Sequence, residues 1–88
     1  MKIKDVCKFT NGYGYGGLDE QVGTATNEQD CAAIIKEKRP TANGATFYPV
    51  SRKCFAEYSS SLKIANAQFY ARACIFPGIR INDIQFWC

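Results

Sequence analysis

Cysteine placement constrains this chain more than any other feature. Five cysteines fall within 88 residues, at Cys7, Cys31, Cys54, Cys74 and Cys88, and no two stand close together. None forms a Cys-x-x-Cys pair, so zinc knuckles, zinc ribbons and thioredoxin-type redox motifs lose their main signal. The chain has no histidine. That removes Cys/His zinc fingers and the Ser-His-Asp and Cys-His modes of catalysis. Widely spaced cysteines in a small domain fit a disulfide framework made in an oxidising compartment, so a secreted or extracellular protein is expected. The physical need is plain. A core this small roughly offsets the entropy of ordering the chain, and each bridge closing a long loop adds ~3–5 kcal/mol.

Size narrows the possibilities further. A chain of 88 residues is one domain, 1–88, too short for a doubly wound α/β enzyme or a β/α barrel. No stretch approaches the ~18 apolar residues of a membrane span. Lys plus Arg is 11 against 8 for Asp plus Glu, a net charge of +3. The basic residues come in short clusters (Lys2, Lys4; Lys36, Lys38, Arg39; Arg52, Lys53) and not in one run. No nucleic-acid partner is therefore expected, and no cofactor or metal is expected either. Met1-Lys-Ile-Lys-Asp5 lacks the apolar segment of a secretory leader, so a secreted reading expects a mature form with its leader removed. Asn11, Asn27, Asn43, Asn66 and Asn82 all lack a hydroxyl residue two places on, and N-glycosylation is not expected.

Local pattern predicts one helix and several strands. Residues 3–9 read as a short strand. Residues 11–17, Asn-Gly-Tyr-Gly-Tyr-Gly-Gly, read as a loop because four glycines in seven positions oppose regular structure. Thr26-Asn-Glu-Gln29 matches a capping box, with Glu28 and Asp30 suited to the positive end of a helix. Cys31, Ile34, Ile35 and Lys38 share one face at helical spacing. Lys36, Lys38 and Arg39 fill the last turn and Pro40 ends it, so the helix is predicted over roughly 27–39. Residues 45–50 and 54–58 read as a hairpin, with Pro49 implying an edge strand or a bulge. Residues 59–67 read as a loop, 69–76 as a third strand, Pro77-Gly78 as a turn and 79–87 as a last strand. The expectation is α+β: an early helix, then an antiparallel meander.

The order of motifs carries a resemblance. A capped helix bears Cys31. Ala42-Asn-Gly-Ala-Thr-Phe47, Lys53-Cys-Phe-Ala-Glu-Tyr58 and Tyr70-Ala-Arg-Ala-Cys-Ile-Phe76 follow. This resembles the PAN/apple superfamily, in particular invertebrate extracellular PAN-like domains, over about residues 7–76, with 77–88 as a C-terminal strand extension. The resemblance implies a small disulfide-linked domain in which one helix packs across an antiparallel sheet. It implies that Cys31 pairs with Cys54. It also implies a bridge between terminal strands, for which Cys7 with Cys74 and Cys7 with Cys88 both fit. The second helix cysteine of apple modules is replaced by Ile35, and its partner strand begins Asn43-Gly-Ala without a cysteine, so both halves of that bridge are absent together.

Several constellations invite a functional reading. Gly12-Tyr-Gly-Tyr-Gly-Gly17 contains a literal G-x-G-x-x-G, but no helix opens immediately after it and no βαβ unit can surround it. As a ligand-contact loop it would present Tyr13 and Tyr15, with Asn11, Asp19 and Glu20 as polar neighbours. Flat rings beside carboxylate and amide groups suit sugars. Glu57 reads as a structural salt bridge or a hydrogen bond to the turn. A paired-carboxylate glycosidase needs a second acid ~5–10 Å away, and the acids here are scattered along the sequence. Ser59-Ser-Ser61 with Lys63 reads as a polar loop. Phe47, Tyr48, Phe55, Tyr58, Phe69, Tyr70, Phe76, Phe86 and Trp87 read mostly as core. Phe86-Trp-Cys88 needs cover, from its own sheet or from a second chain, and Cys88 beside it suggests an interchain disulfide and a homodimer, with a free or capped thiol and an intrachain pair as the alternatives.

The chain is thus expected to be a non-catalytic extracellular binding or adhesion module, lectin-like, recognising glycans or protein surfaces. A disulfide-cross-linked matrix protein and a small secreted effector (toxin, antimicrobial or inhibitor) are the alternatives.

Overall fold

The helix starts one step later than the capping box suggests. The structure, a computed structural model, describes residues 7–66 and 70–77. In it α1 spans Glu28–Lys38 with Asn27 as the N-cap. Asn27 Oδ1 accepts from the Asp30 N–H at 2.8 Å. Asp30 Oδ2 in turn accepts from the N–H and the hydroxyl of Thr26, both at 3.1 Å. Asn is at least as good a cap as Thr, so Asn27 caps the helix while Asp30 reaches back one residue further, to Thr26, and the expected Thr26–Gln29 box does not form. Gln29 bonds elsewhere: its Nε2 donates to the Cys7 carbonyl at 2.8 Å, and its Oε1 accepts from the Cys7 N–H at 3.3 Å. The cap shift therefore ties the N-terminal segment to the helix. Cys31, Ala32 and Ile35 are buried, whereas Lys38, expected on that face, is exposed. Burying its ammonium would be costly.

The described residues form seven strands besides this helix. They are β1 (Thr10–Asn11), β2 (Tyr13–Tyr15), β3 (Leu18–Thr24), β4 (Gly44–Tyr48), β5 (Lys53–Tyr58), β6 (Lys63–Ala65) and β7 (Arg72–Ile75). Five form an antiparallel sheet in the order β1-β7-β4-β5-β3, and β2 pairs with β6 as a separate ribbon. The class is α+β, a small disulfide-linked unit with one helix on an antiparallel sheet. The expected meander is corrected, because three strands precede the helix and β7 inserts between β1 and β4.

The glycine-rich stretch is not a loop. Gly12 (φ +140°) and Gly16 (φ +111°) turn the corners on either side of β2, in backbone regions that glycine alone visits freely. Residues 59–67, expected to be a loop, contain β6. Residues 7–9 of the predicted first strand are not strand, and pairing begins at Thr10. The predicted strand over 69–76 is shorter, covering only β7. β4 is interior, not an edge. Pro49 lies in the turn beyond it, where its missing N–H has no ladder partner to lose. The predicted strand over 79–87, with Phe69, Phe86, Trp87 and Cys88, lies outside the described residues.

Register assigns the two faces of the sheet. Ala45 pairs with Ala56 and Cys74, and Phe47 with Cys54. These side chains meet Cys31, Ala32 and Ile35 of α1 in the core. Much of that interior is alanine (Ala25, Ala32, Ala42, Ala45, Ala56), so the helix sits close and little apolar area is buried. Two disulfides cross-link it. Cys31–Cys54 joins helix to sheet with Cα atoms 5.5 Å apart. Cys7–Cys74 joins the N-terminal segment to β7 with Cα atoms 6.0 Å apart.

Arg72 on β7 adds a polar clamp. Its Nε and Nη2 reach the Glu28 carboxylate at 2.8 and 3.2 Å, and its Nη1 donates to Asn11 Oδ1 at 2.7 Å. One guanidinium thus holds β7, α1 and β1 together, using the fork geometry that suits arginine. Among the described residues, no helix is long and apolar enough to cross a membrane.

Both bridges close long loops, of 23 and 67 residues in sequence separation. Chain entropy then assigns them about 3.4 and 4.4 kcal/mol respectively. Urea unfolding of the Cys31→Ser/Cys54→Ser variant should show at least the smaller loss, because both sulfurs are fully buried. The Cys7→Ser/Cys74→Ser variant should lose about 4 kcal/mol.

Candidate functional site

The face of the sheet turned away from α1 is only partly covered. Register places Thr46 and Tyr48 of β4, Phe55 and Glu57 of β5, and Asp19 of β3 on this side. The β2–β6 ribbon lies over part of it. The Tyr-Gly-Tyr alternation puts both tyrosine rings outward and Gly14 inward. An ideal Cβ at Gly14 would stand 3.0 Å from Glu57 Cγ and Cδ and 3.2 Å from Leu62 Cδ1. Glycine is what allows the ribbon to lie this close.

Beside the ribbon the face stays open and aromatic. Tyr48 meets Phe55 edge-on with ring centroids 5.6 Å apart, and meets Tyr70 edge-on at 6.0 Å. Such T-shaped contacts suit the ring quadrupoles. Tyr70 is 72% exposed, which corrects its expected place in the core. It precedes β7 on the side opposite the helix, and Val50 nearby is also exposed. Two adjoining shallow cavities lie here. One of about 280 Å³ is lined by Tyr48, Ser51, Lys53, Phe55 and Tyr70. One of about 350 Å³ is lined by Tyr48, Val50, Ser51 and Tyr70. Apolar rings with a few polar groups beside them are the usual makeup of a small-ligand surface.

The five residues read from sequence as ligand contacts divide among four places. Tyr13 and Tyr15 share the outer side of the ribbon, 41% and 46% exposed. Asp19 lies on the open face. Tyr48 is close enough to feel the charges of Glu57 and Asp19 and the hydroxyls of Tyr70 and Tyr13. Burial first, then these neighbours, raise its pKa. Glu20 faces the helix side, where its carboxylate takes Arg39 Nε at 2.9 Å and Nη2 at 3.0 Å, and the Tyr58 hydroxyl at 2.9 Å. The Arg39 hydrogen bonds, then that of Tyr58, hold Glu20 below the usual carboxylate range. Asn11 bonds Arg72 on β1, four strand spacings from β3, or about 19 Å. Tyr13 and Asp19 are therefore both brought within reach of Tyr48, while Glu20 is turned to the helix side and Asn11 to the Arg72 clamp.

Tyr48, Phe55, Tyr70, Ser51 and Lys53 were missed as site residues. The signal was available in the alternation of the hairpin: Phe47 and Cys54 point into the core, so Tyr48 and Phe55 must point out.

Glu57 differs most from its expected role. It is 3% exposed, and among the described residues no cation pairs with it. The one hydrogen bond of its carboxyl group there is from the Thr46 hydroxyl, which donates to Oε2 at 2.6 Å. Thr46 Oγ1 itself accepts from the Gly14 N–H at 2.9 Å. Asp19 is its cross-strand partner, so two acids scattered in sequence become neighbours. Burial pushes the Glu57 carboxyl up to about 7; the Thr46 bond opposes this and Asp19 adds to it. Among the described residues, no group of His, Cys, Asp and Glu side chains is placed to hold a metal ion.

Two predictions follow from this packing. Gly14→Ala should cost about 1–3 kcal/mol, the usual cost of overpacking, in urea denaturation. Proton linkage sets a pH trend. Between its ordinary value of 4.5 and about 7, folded Glu57 keeps a proton that the unfolded chain has released. Its contribution to stability is therefore complete below 4.5 and lost as pH rises through about 7. Denaturation midpoints measured from pH 5 to 8 should fall in the wild type, and the Glu57→Gln variant should lack that component. No protein-family model, curated protein or solved structure matches this chain.

Proposed function

We propose that this chain is a non-catalytic extracellular binding module of the PAN/apple-like kind, and that it takes glycans on its open aromatic face. One observation carries the reading: Tyr48, Phe55 and exposed Tyr70 cluster on an uncovered sheet face. Pyranose rings offer apolar C–H faces that pack on aromatic rings, and hydroxyl edges that bond groups such as Ser51, Lys53 and Asp19. The shallowness of the two cavities suits a chain of sugars lying along a surface better than an enclosed small molecule. The helix-to-sheet bridge Cys31–Cys54 and the bridge Cys7–Cys74 favour the PAN/apple-like assignment and suit an oxidising compartment.

The four described cysteines are consumed in two bridges, which leaves Cys88 over in this sequence. A second chain joined through Cys88 would double the face, and two weak sites on one particle gain avidity. Non-reducing electrophoresis reads this directly. A single dimer band supports the module, and a ladder supports a cross-linked matrix protein instead.

Screening neutral and acidic oligosaccharides on an array, followed by titration with ¹H–¹⁵N spectra, tests the face. Tyr70→Ala should weaken binding at least about tenfold, and Tyr13→Ala by less, if the rings carry the contact. Shifts confined to other surfaces, or full affinity in both variants, would remove the aromatic face from the account.

A further inference from the structure

We propose that Glu57 is a proton-controlled latch that holds the β2–β6 ribbon, with Tyr13 and Tyr15 on it, against the five-stranded sheet. The latch does not depend on what those tyrosines bind. Its parts form one line across the two layers. The Gly14 N–H donates to Thr46 Oγ1 at 2.9 Å, and the Thr46 hydroxyl donates to Glu57 Oε2 at 2.6 Å. Thr46 is 1% exposed and Glu57 3% exposed, so the line runs through the interior. Gly14 and Leu62 close over the Glu57 side chain.

The charges around Glu57 make its protonation state matter. From β3, Asp19 faces it as its register partner. From β4, Thr46 bonds it and Tyr48 lies within electrostatic reach. From the ribbon, Gly14 presents bare backbone. Lys63 pairs with Tyr15 and so lies on the outer side, while Ile64, paired with Gly14, lies on the inner side. Lys36 and Lys38 of α1, and Arg39 at its C-cap, are across the sheet. Protonated, Glu57 is a neutral group that fits this apolar slot. Ionised, it is a buried carboxylate beside a second acid, and among the described residues no cation pairs with it, an arrangement that costs free energy until water reaches it. The cheapest way to admit water is to lift the thin ribbon, since the sheet itself is cross-linked to α1 and to the N-terminal segment. Local opening of so small a unit is the expected low-energy motion.

Amide hydrogen exchange tests this. Protection factors, corrected for the intrinsic pH dependence of exchange, are compared at pH 5.5 and pH 8 for Gly14, Tyr15, Lys63 and Ile64, with β4 and β5 amides as the internal reference. The ribbon should lose protection on the order of tenfold at pH 8 while β4 and β5 keep theirs. Glu57→Gln, which stays neutral, should show equal ribbon protection at both pH values. Ribbon protection that is unchanged in the wild type, a loss shared equally by β4 and β5, or the same loss in Glu57→Gln would each overturn the latch. The wild type alone supplies a second readout should the variant not fold. The Gly14 amide shift must titrate together with the Glu57 side-chain carboxyl carbon, and a Gly14 shift flat across that titration also overturns the latch.

Discussion

The Cys31–Cys54 bridge is the constraint on which the rest of the structure depends. Both sulfurs sit at the centre of the helix–sheet contact, fully buried. Around them the core is built largely of alanines, with Ile35, Phe47 and Phe76 as the bulky members. Alanine buries little area, so this interior contributes less hydrophobic free energy than a leucine-rich one of the same extent. Small side chains also let α1 approach the sheet closely enough for a disulfide to span the gap. Loss of apolar burial and gain of a covalent link therefore arise from the same choice of residues. The cross-link makes up in the unfolded state, by restricting it, what the core lacks in the folded one.

The second layer follows from the first. With the helix covering one face, the other face must be covered or used. The chain does both. Gly12, Gly14 and Gly16 let a two-stranded ribbon turn tightly and lie flat over Thr46 and Glu57. Beyond the ribbon, Tyr48, Phe55 and Tyr70 remain accessible. A polar residue such as Thr46 in the middle of a central strand is tolerable because both of its hydrogen-bonding roles are filled. Glu57 is the exception, a carboxyl with one hydrogen bond and no cation among the described residues.

How much of this is legible in the sequence differs by element. The helix is readable because its cap, its acidic first turn and its stop at Pro40 agree. It was misplaced by one residue only because Thr26 and Asn27 are both competent caps. The β4–β5 hairpin is readable from its strand-forming residues. The ribbon is not, since the glycines that mark a loop by composition here provide close approach and corners, which is information about a neighbouring layer. The insertion of β7 between β1 and β4 is likewise a long-range pairing that leaves no local mark. The candidate site suffered for this reason. Without the ribbon and the strand order, Asn11 and Glu20 read as neighbours of Tyr13 and Tyr15, although they face the helix side. Without β3 beside β5, Asp19 and Glu57 appear unrelated.

These two layers differ in what holds them, and that difference bears on function. The aromatic face around Tyr48 rests on strands joined to the helix and the N-terminal segment by covalent bonds and by the Arg72 clamp. Its geometry thus has supports that do not titrate. The ribbon has no such tie among the described residues. It rests on the β2–β6 pairing, on backbone contacts at Gly12, and on the Thr46–Glu57 line. A surface made partly of rigid rings and partly of rings on a titratable mount can keep one part of its contact constant while the other responds to pH. Tyr70 and Tyr48 belong to the constant part, Tyr13 and Tyr15 to the responsive one. The division follows from a single buried carboxyl and from the glycine that lies over it.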